Sequence, residues 1–152
     1  MIEIQSPNIY IPVGCDRKSI FLAGGITNCP DWQQQILKMM EDVSLVAYNP
    51  RRENFPIHDP NAAEAQITWE HDRFRDSDMI LFWFPKDTMC PIVLYELGAW
   101  SMIKDIPIFV GVHPEYPRRQ DVEVQTKLVR PDVEVVYSIQ DLAEQVRKAV
   151  AK

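Results

Sequence analysis

One stretch of the sequence joins a fully apolar strand to a helix that carries a single acid. It runs from Asp78 to Ile103 and reads DMILFWFPKDTMCPIVLYELGAWSMI. Residues 79–84 are large and apolar without interruption, which is typical of a strand covered on both faces in a parallel sheet, and Pro85 ends the run. Pro91 suits the first position of a helix, where its missing N–H costs nothing. In an open α/β sheet, ligands bind beyond the carboxyl ends of the strands, so we expect a ligand at this loop.

The helix predicted after Pro91 has one apolar side, and Glu96 lies on that side, about one and a half turns in. An arbitrary glutamate is ordinarily a solvated or salt-bridged helix residue. Gly98 makes Glu96 unusual. Glycine inside a helix costs roughly 1 kcal/mol of stability relative to alanine, so its presence predicts that another group packs closely there. We expect a crowded site around Glu96.

Strands and helices alternate along the rest of the chain, which predicts a doubly wound α/β fold with helices on both faces of a parallel sheet. We expect a five-stranded, flavodoxin-like sheet in three α/β/α layers. The other predicted strands are 19–25, 43–48, 106–112 and 133–136, and the other predicted helices are 30–40 (capped by Asn28 or Asp31), 59 or 61 to 76, 121–128, and one capped by Ser138 that runs to 150. Residues 1–17 suit an edge strand or an arm over the sheet, and the long polar loop 51–61 is a candidate to hold ligand.

Composition narrows the class of protein. The chain has 152 residues, 46% of them hydrophobic, which suits a single domain over residues 1–152. A net charge of -6 argues against a nucleic-acid partner and favours a small ligand. The sequence lacks the apolar length of a membrane span and the start of a signal peptide, so we expect a cytoplasmic protein with no membrane partner. Three cysteines without CxxC spacing and histidines without HxH or HExxH spacing predict neither a disulfide framework nor a metal site.

Three segments together resemble the nucleoside 2-deoxyribosyltransferase family: FLAGG near the start, SDMILFWFP, and YELGAW. The resemblance runs from Ser19 to about Val112 and implies the flavodoxin-like fold expected above. It also implies that the carboxylate of the Glu-Leu-Gly motif, Glu96 here, attacks C1′ of a 2′-deoxyribose. In the family a second acid, eight positions before the Asp that opens the strand, helps to bind or protonate the leaving base. That position holds Glu70, where the family more often has Asp, and Asp72 is the alternative.

The sequence departs from the family pattern at two candidate substrate contacts. Phe21 stands where some members have a tyrosine that positions the nucleophile, so Tyr48 or Tyr95 would have to supply that hydroxyl. The loop before the helix leaves Asp87 or Thr88 to bind the sugar hydroxyls. Further candidates rest on the residue types themselves. Gly24 and Gly25 give a nucleoside room, with a phosphate at the nearby helix N-terminus as the alternative, and Trp69 is the aromatic residue that could stack on a base.

Two carboxylates suit a double displacement with retention, in which one is the nucleophile and the other, kept neutral by burial, is the acid. The resemblance therefore implies deoxyribosyl transfer between nucleobases, with a 2′-deoxynucleoside and a free nucleobase as substrates and no cofactor. The alternatives are an N-glycosidase, in which water accepts the sugar, and a non-catalytic nucleotide-sensing domain. The resemblance also implies a homo-oligomer of at least two subunits, for which the apolar N-terminal segment is a candidate contact surface.

Overall fold

The computed structural model of the protein describes residues 1–11 and 17–151. That part of the chain has six strands and five helices, and strands and helices alternate from the second strand onward. The strands are β1 (Ile2–Gln5), β2 (Ser19–Gly24), β3 (Val46–Asn49), β4 (Met79–Phe84), β5 (Ile108–Val112) and β6 (Val135–Val136). The helices are α1 (Trp32–Met39), α2 (Ala62–Asp76), α3 (Pro91–Ser101), α4 (Arg119–Val129) and α5 (Ile139–Val150).

All six strands lie parallel in one sheet, in the order β1-β3-β2-β4-β5-β6. Without β1, this is the strand order of flavodoxin-like sheets. One apolar cluster packs α1 and α5 against one face of the sheet, and a second packs α2, α3 and α4 against the other. The predicted α/β class, the parallel sheet and the three layers are therefore confirmed.

The prediction of five strands is wrong, because the N-terminal segment adds a sixth. β1 pairs with β3 from Ile2 opposite Val46 to Gln5 opposite Asn49, which makes it an edge strand. Pro7 follows the strand instead of interrupting it, so the ladder loses no N–H to it. Of the two alternatives for this segment, the edge strand is the correct one for its first residues. Pro12, Val13 and Cys15, which belonged to the same prediction, lie outside the described residues.

Two predicted helix caps are present. Asp31 accepts a hydrogen bond from the backbone N–H of Gln34 at 3.0 Å, which decides between the two candidates for α1. Ser138 accepts one from the N–H of Asp141 at 3.1 Å and begins α5. The fourth helix begins at Arg119, two residues before its predicted start.

Gly24, at the carboxyl end of β2, allows close packing inside the sheet. A Cβ built there would lie 2.4 Å from Cζ2 of Trp32 and 2.6 Å from the backbone oxygen of Trp83. Gly24 therefore allows α1 and β4 to approach β2 closely at this end of the strand. At Gly98 the expectation of close packing is wrong, since a Cβ there would meet nothing within 4 Å.

Candidate active site

A cavity of about 400 Å³ opens beyond the carboxyl ends of β2 and β4. These neighbouring strands leave the sheet toward α1 and α3, on opposite faces, so the cavity lies at the topological switch point where ligands bind in such folds. Most of its wall is apolar, and two carboxylates enter it. Its lining residues are Phe21, Ala23, Gly24, Gly25, Ile26, Thr27, Pro50, Phe55, Ala63, Gln66, Ile67, Glu70, Thr88, Cys90, Pro91, Ile92, Val93 and Glu96.

The start of α3 places Glu96 at this cavity. Cys90 precedes the helix in the left-handed conformation, with φ of 47°, and Pro91 is the first helical residue. Glu96 follows in the second turn and is partly buried. Burial raises the pKa of its carboxyl, the charge of Glu70 raises it further, and the result is a pKa of about 8. A carboxyl with that pKa accepts or releases a proton near neutral pH.

Glu70 reaches the cavity from α2. Burial raises the pKa of its carboxyl, and a hydrogen bond from Nε2 of Gln66 to Oε1, at 2.8 Å, opposes that shift. Gln66 and Glu70 are four positions apart, so they lie on the same side of the helix. Two acids from different helices thus meet at one cavity. No positive charge contributes to the pKa shift of either carboxyl.

Four other predicted substrate contacts also line the cavity: Phe21, Gly24, Gly25 and Thr88. Phe21 stacks on Phe74, with 4.0 Å between ring centroids, so its ring is held by core packing. A Cβ on Gly25 would lie 2.7 Å from Pro85, 2.9 Å from Thr88 and 3.0 Å from Sγ of Cys90. Only glycine fits where this loop passes the start of α3.

The remaining predicted contacts lie away from the cavity. Tyr48 is buried against Trp69, and the guanidinium of Arg73 lies 5.4 Å from its ring centroid. Trp69 is also buried, and its Nε1 donates to the backbone oxygen of Asn8 at 2.9 Å. Asp72 is exposed on a shallow groove beside Trp69, and Asp87 is exposed on the loop after β4. Tyr95, the other candidate for the missing hydroxyl, is 77% exposed.

Sequence reasoning missed Phe55 and Gln66. Phe55 lies in the loop 51–61, which was expected to hold ligand, and its ring is at the cavity with the guanidinium of Arg52 5.5 Å from the ring centroid. No sequence feature of this loop distinguishes Phe55 from its neighbours as a ligand contact. Gln66 had a usable signal, since it stands one helical turn before a candidate acid.

The same two acids also line a groove on the outer side of α2 and α3. This groove has a volume of about 380 Å³. Its other lining residues are Ile67, His71, Phe74, Ile92, Tyr95, Ala99, Trp100 and Ile103. Glu70 and Glu96 therefore stand between an inner cavity and an outer groove.

Two further properties bear on what this arrangement can bind. Within residues 1–11 and 17–151, no group of three His, Cys, Asp or Glu side chains could hold a metal ion. No helix in those ranges has the length and apolar character needed to cross a membrane. An apolar cavity with two acids of raised pKa suits a small uncharged ligand that accepts a proton from, or gives a proton to, one of these acids.

Comparison with models of known protein families gives a match. The model of the family described as nucleoside 2-deoxyribosyltransferase like matches residues 17–116, which are 100 of the 152 residues. The match extends from just before β2 to the segment after β5, so it includes Glu70 and Glu96. No curated protein matches the sequence.

Proposed function

Because the chain belongs to the nucleoside 2-deoxyribosyltransferase-like family, we propose that it transfers 2-deoxyribose between nucleobases through a covalent deoxyribosyl-Glu96 intermediate. The observation that carries this proposal is the pair of partly buried carboxyls, Glu70 and Glu96, at one mostly apolar cavity. Glu96 is the nucleophile in the proposal, and Glu70 is the acid and base.

In the first step, an ionised oxygen of Glu96 forms a bond to C1′ while the bond from C1′ to the base breaks. The electrons of that bond go to the base, which takes a proton from Glu70. In the second step, an incoming base attacks C1′ from the face that the first base left, gives a proton to Glu70 and frees Glu96. Two inversions at C1′ give retention overall.

For these steps the proton that the two acids share must lie on Glu70, although Glu96 has the more strongly raised pKa. The reactive form has Glu96 ionised and Glu70 protonated, so the pair must hold one proton near neutral pH. Burial raises both pKa values, and the charge of Glu70 raises that of Glu96 to about 8. Since the groups interact, the proton belongs to the pair, and binding of a base beside Glu70 favours the reactive arrangement.

The substrate contacts are proposals of the same kind. The ring of Phe55 is available for stacking on a base, and Thr88 has the one side-chain hydroxyl of the loop 86–90, which suits a sugar hydroxyl. The part of the cavity wall against which the deoxyribose would pack is formed by Phe21, Gly24 and Gly25. Among the earlier candidates, Tyr48, Trp69, Asp72 and Asp87 lack this support from geometry.

Hydrolysis of the N-glycosidic bond is a second candidate, and the outer groove favours it. Because Glu70 and Glu96 also line that groove, water can approach them from the side opposite the inner cavity. Water would then accept the sugar in the second step. Transfer requires that this groove be closed when the second base binds.

The proposal extends to assembly and compartment. A homo-oligomer would cover the exposed apolar side chains beside the outer groove, which include Ile67, Ile92 and Tyr95. The proposed compartment is the reducing cytoplasm, in which the described cysteines, Cys29 and Cys90, would remain thiols. The substrates of this proposal are a 2′-deoxynucleoside and a free nucleobase, with no nucleic acid or membrane as partner.

Replacement of the nucleophile tests the proposal directly. Glu96→Gln keeps the size of the side chain and removes the attacking oxyanion, so turnover should fall by about three orders of magnitude or more. Glu64→Gln is the matched control, since Glu64 is an exposed acid on α2. With a 2-fluorinated arabinosyl nucleoside, the wild type should accumulate an adduct that mass spectrometry assigns to Glu96. Near-normal turnover in Glu96→Gln, or an adduct on Glu70, would contradict the mechanism.

The acceptor needs a separate measurement. A deoxynucleoside is incubated with and without a second free base, and the products are separated by chromatography. Transfer gives a new nucleoside only when the second base is present. Free deoxyribose at the same rate in both reactions, with no new nucleoside, would favour hydrolysis.

A further inference from the structure

The side-chain amide of Gln66 uses its oxygen and both its hydrogens. Its oxygen accepts a hydrogen bond from Oγ of Ser6 at 2.6 Å. Its Nε2 donates to the backbone oxygen of Pro50 at 3.0 Å and to Oε1 of Glu70 at 2.8 Å. The residue thus ties the turn after β1, the end of β3 and the acid on α2 together.

These partners fix which way the amide points. A backbone carbonyl can only accept a hydrogen bond, so the group that faces Pro50 must be the NH2 of Gln66. Rotation of the amide by 180° would place its oxygen against the oxygens of Pro50 and Glu70, and two pairs of acceptors would then repel each other. Nε2 therefore always presents an N–H to Oε1 of Glu70.

An N–H held at Oε1 distinguishes the two oxygens of Glu70. A protonated carboxyl has one O–H and one C=O, and the C=O oxygen is the better acceptor for the N–H of Gln66 at Oε1. The proton of neutral Glu70 is therefore favoured on Oε2. Without Gln66, rotation of the carboxyl would exchange the two oxygens freely.

We propose that Gln66 is a positioning residue for proton transfer, which holds Oε1 of Glu70 so that Oε2 carries and delivers the proton. This inference rests on the proposed function, in which Glu70 protonates the leaving base. In that step the O–H bond at Oε2 breaks as a ring nitrogen of the base gains the proton. The electrons of the bond between C1′ and the base go to the base, and Glu96 supplies the electrons of the new bond to C1′.

Ser6 extends this arrangement to the N-terminal edge strand. Ser6 is buried, and it lies before residue 17, where the family match begins. Its hydroxyl holds the oxygen of the Gln66 amide, so the turn after β1 supports the acid indirectly. The N-terminal segment thereby gains a role at the site.

Two glycosyl donors separate positioning of an acid from mere support of the fold. 2′-Deoxyadenosine needs a proton on its leaving base, whereas 4-nitrophenyl 2-deoxy-β-riboside releases a phenolate that leaves without one. In Gln66→Met, we expect kcat/KM for 2′-deoxyadenosine to fall about ten- to a hundredfold, with a change of less than about threefold for the aryl donor. Gln35→Met, at an exposed position of α1, is the matched control and should change neither value.

Each other outcome is decisive. Equal losses for both donors, or no loss for either, would overturn the inference and leave the proposed function standing. No cleavage of either donor by the wild type would overturn the proposed function and this inference with it. If Gln66→Met fails to fold, Gln66→Asn gives the same comparison, since its shorter amide no longer reaches Glu70 and adds no charge beside the two acids.

Discussion

Burial, and then the charge of Glu70 on α2, raises the pKa of Glu96 on α3, so two acids of one sign share a single cavity. Burial of like-charged groups without a cation costs a protein stability. A fold has no structural reason to keep such a pair. This makes the pair a stronger indication of catalysis than either acid alone.

The first prediction concerns the stability cost of Glu96. Its folded pKa, about 8, lies above its unfolded value, so the folded protein binds the extra proton. The stability that this proton contributes is complete below the unfolded pKa of about 4.5 and is lost as the pH rises through about 8. Glu96→Gln does not titrate. The difference in the free energy of unfolding, variant minus wild type, should therefore increase by about 2–5 kcal/mol from pH 4.5 to pH 9. This follows from about 1.4 kcal/mol for each unit by which the pKa is raised. Urea unfolding at both pH values measures this, and a constant difference would contradict the raised pKa.

The second prediction concerns the pH dependence of activity. The nucleophile must be ionised, so the rate should rise with pH through the pKa of Glu96. Glu70→Gln removes a charge that contributes to this raised pKa. The rise in rate at the acid side of the pH–rate profile, the acid limb, should therefore move to lower pH. The aryl donor serves as substrate, because it does not need the acid that this variant lacks. A limb that stays in place would show that Glu70 does not act on Glu96.

The third prediction compares two glycines. Gly24→Ala puts a methyl group 2.4 Å from the Trp32 ring and 2.6 Å from a backbone oxygen, and the backbone cannot yield easily. We expect a loss of about 1–3 kcal/mol or more in the free energy of unfolding. Gly98→Ala meets nothing within 4 Å and lies inside α3, so it should gain up to about 1 kcal/mol. Denaturant unfolding of both variants measures these changes. A loss of stability in Gly98→Ala would contradict the open space that the structure shows beside Gly98.

The sequence was sufficient for the architecture because the apolar runs are long and uninterrupted. Met79–Phe84 is entirely buried, as its composition predicts, and strands alternate with helices as the spacing requires. The first strand was ambiguous, because four residues ahead of a proline carry little periodic signal. Its edge position depends on pairing with β3, a distant segment of the chain.

For the candidate site, local pattern and motif identified the two acids but not the groups around them. Trp69 has the spacing of a base-stacking residue and of a core residue equally, and only the packing of Tyr48 and Phe21 against it shows which side it faces. Phe55 reaches the cavity through the path of an irregular loop. Such a path depends on contacts that no periodicity records.

The fourth prediction concerns assembly. The exposed side chains of Ile67, Ile92 and Tyr95 form an apolar surface beside the outer groove. If a second copy covers it, light scattering at micromolar protein should give at least twice the subunit mass of 17.7 kDa. Tyr95→Arg should shift the protein toward the monomer, because burial of an unpaired charge is costly. Leu128→Arg is the control, at an exposed leucine on α4. A wild-type monomer would contradict the proposed assembly.

The fifth prediction separates Phe55 from Trp69 as the partner of the base. Phe55 is 38% exposed at the cavity, whereas Trp69 is 8% exposed and its Nε1 is bound to Asn8. Stacking on an aromatic side chain is worth about 1–3 kcal/mol for each base, so Phe55→Ala should raise KM for a deoxynucleoside about five- to 150-fold.

Trp69→Phe is the matched comparison, because it retains an aromatic ring while it loses the hydrogen bond to Asn8 and part of the buried indole volume. It should lower the free energy of unfolding by about 1–3 kcal/mol and leave KM unchanged. Steady-state kinetics with 2′-deoxyadenosine, together with thermal unfolding of both variants, tests the pair. A raised KM in Trp69→Phe with a normal KM in Phe55→Ala would reverse the assignment and place the base on the other side of α2.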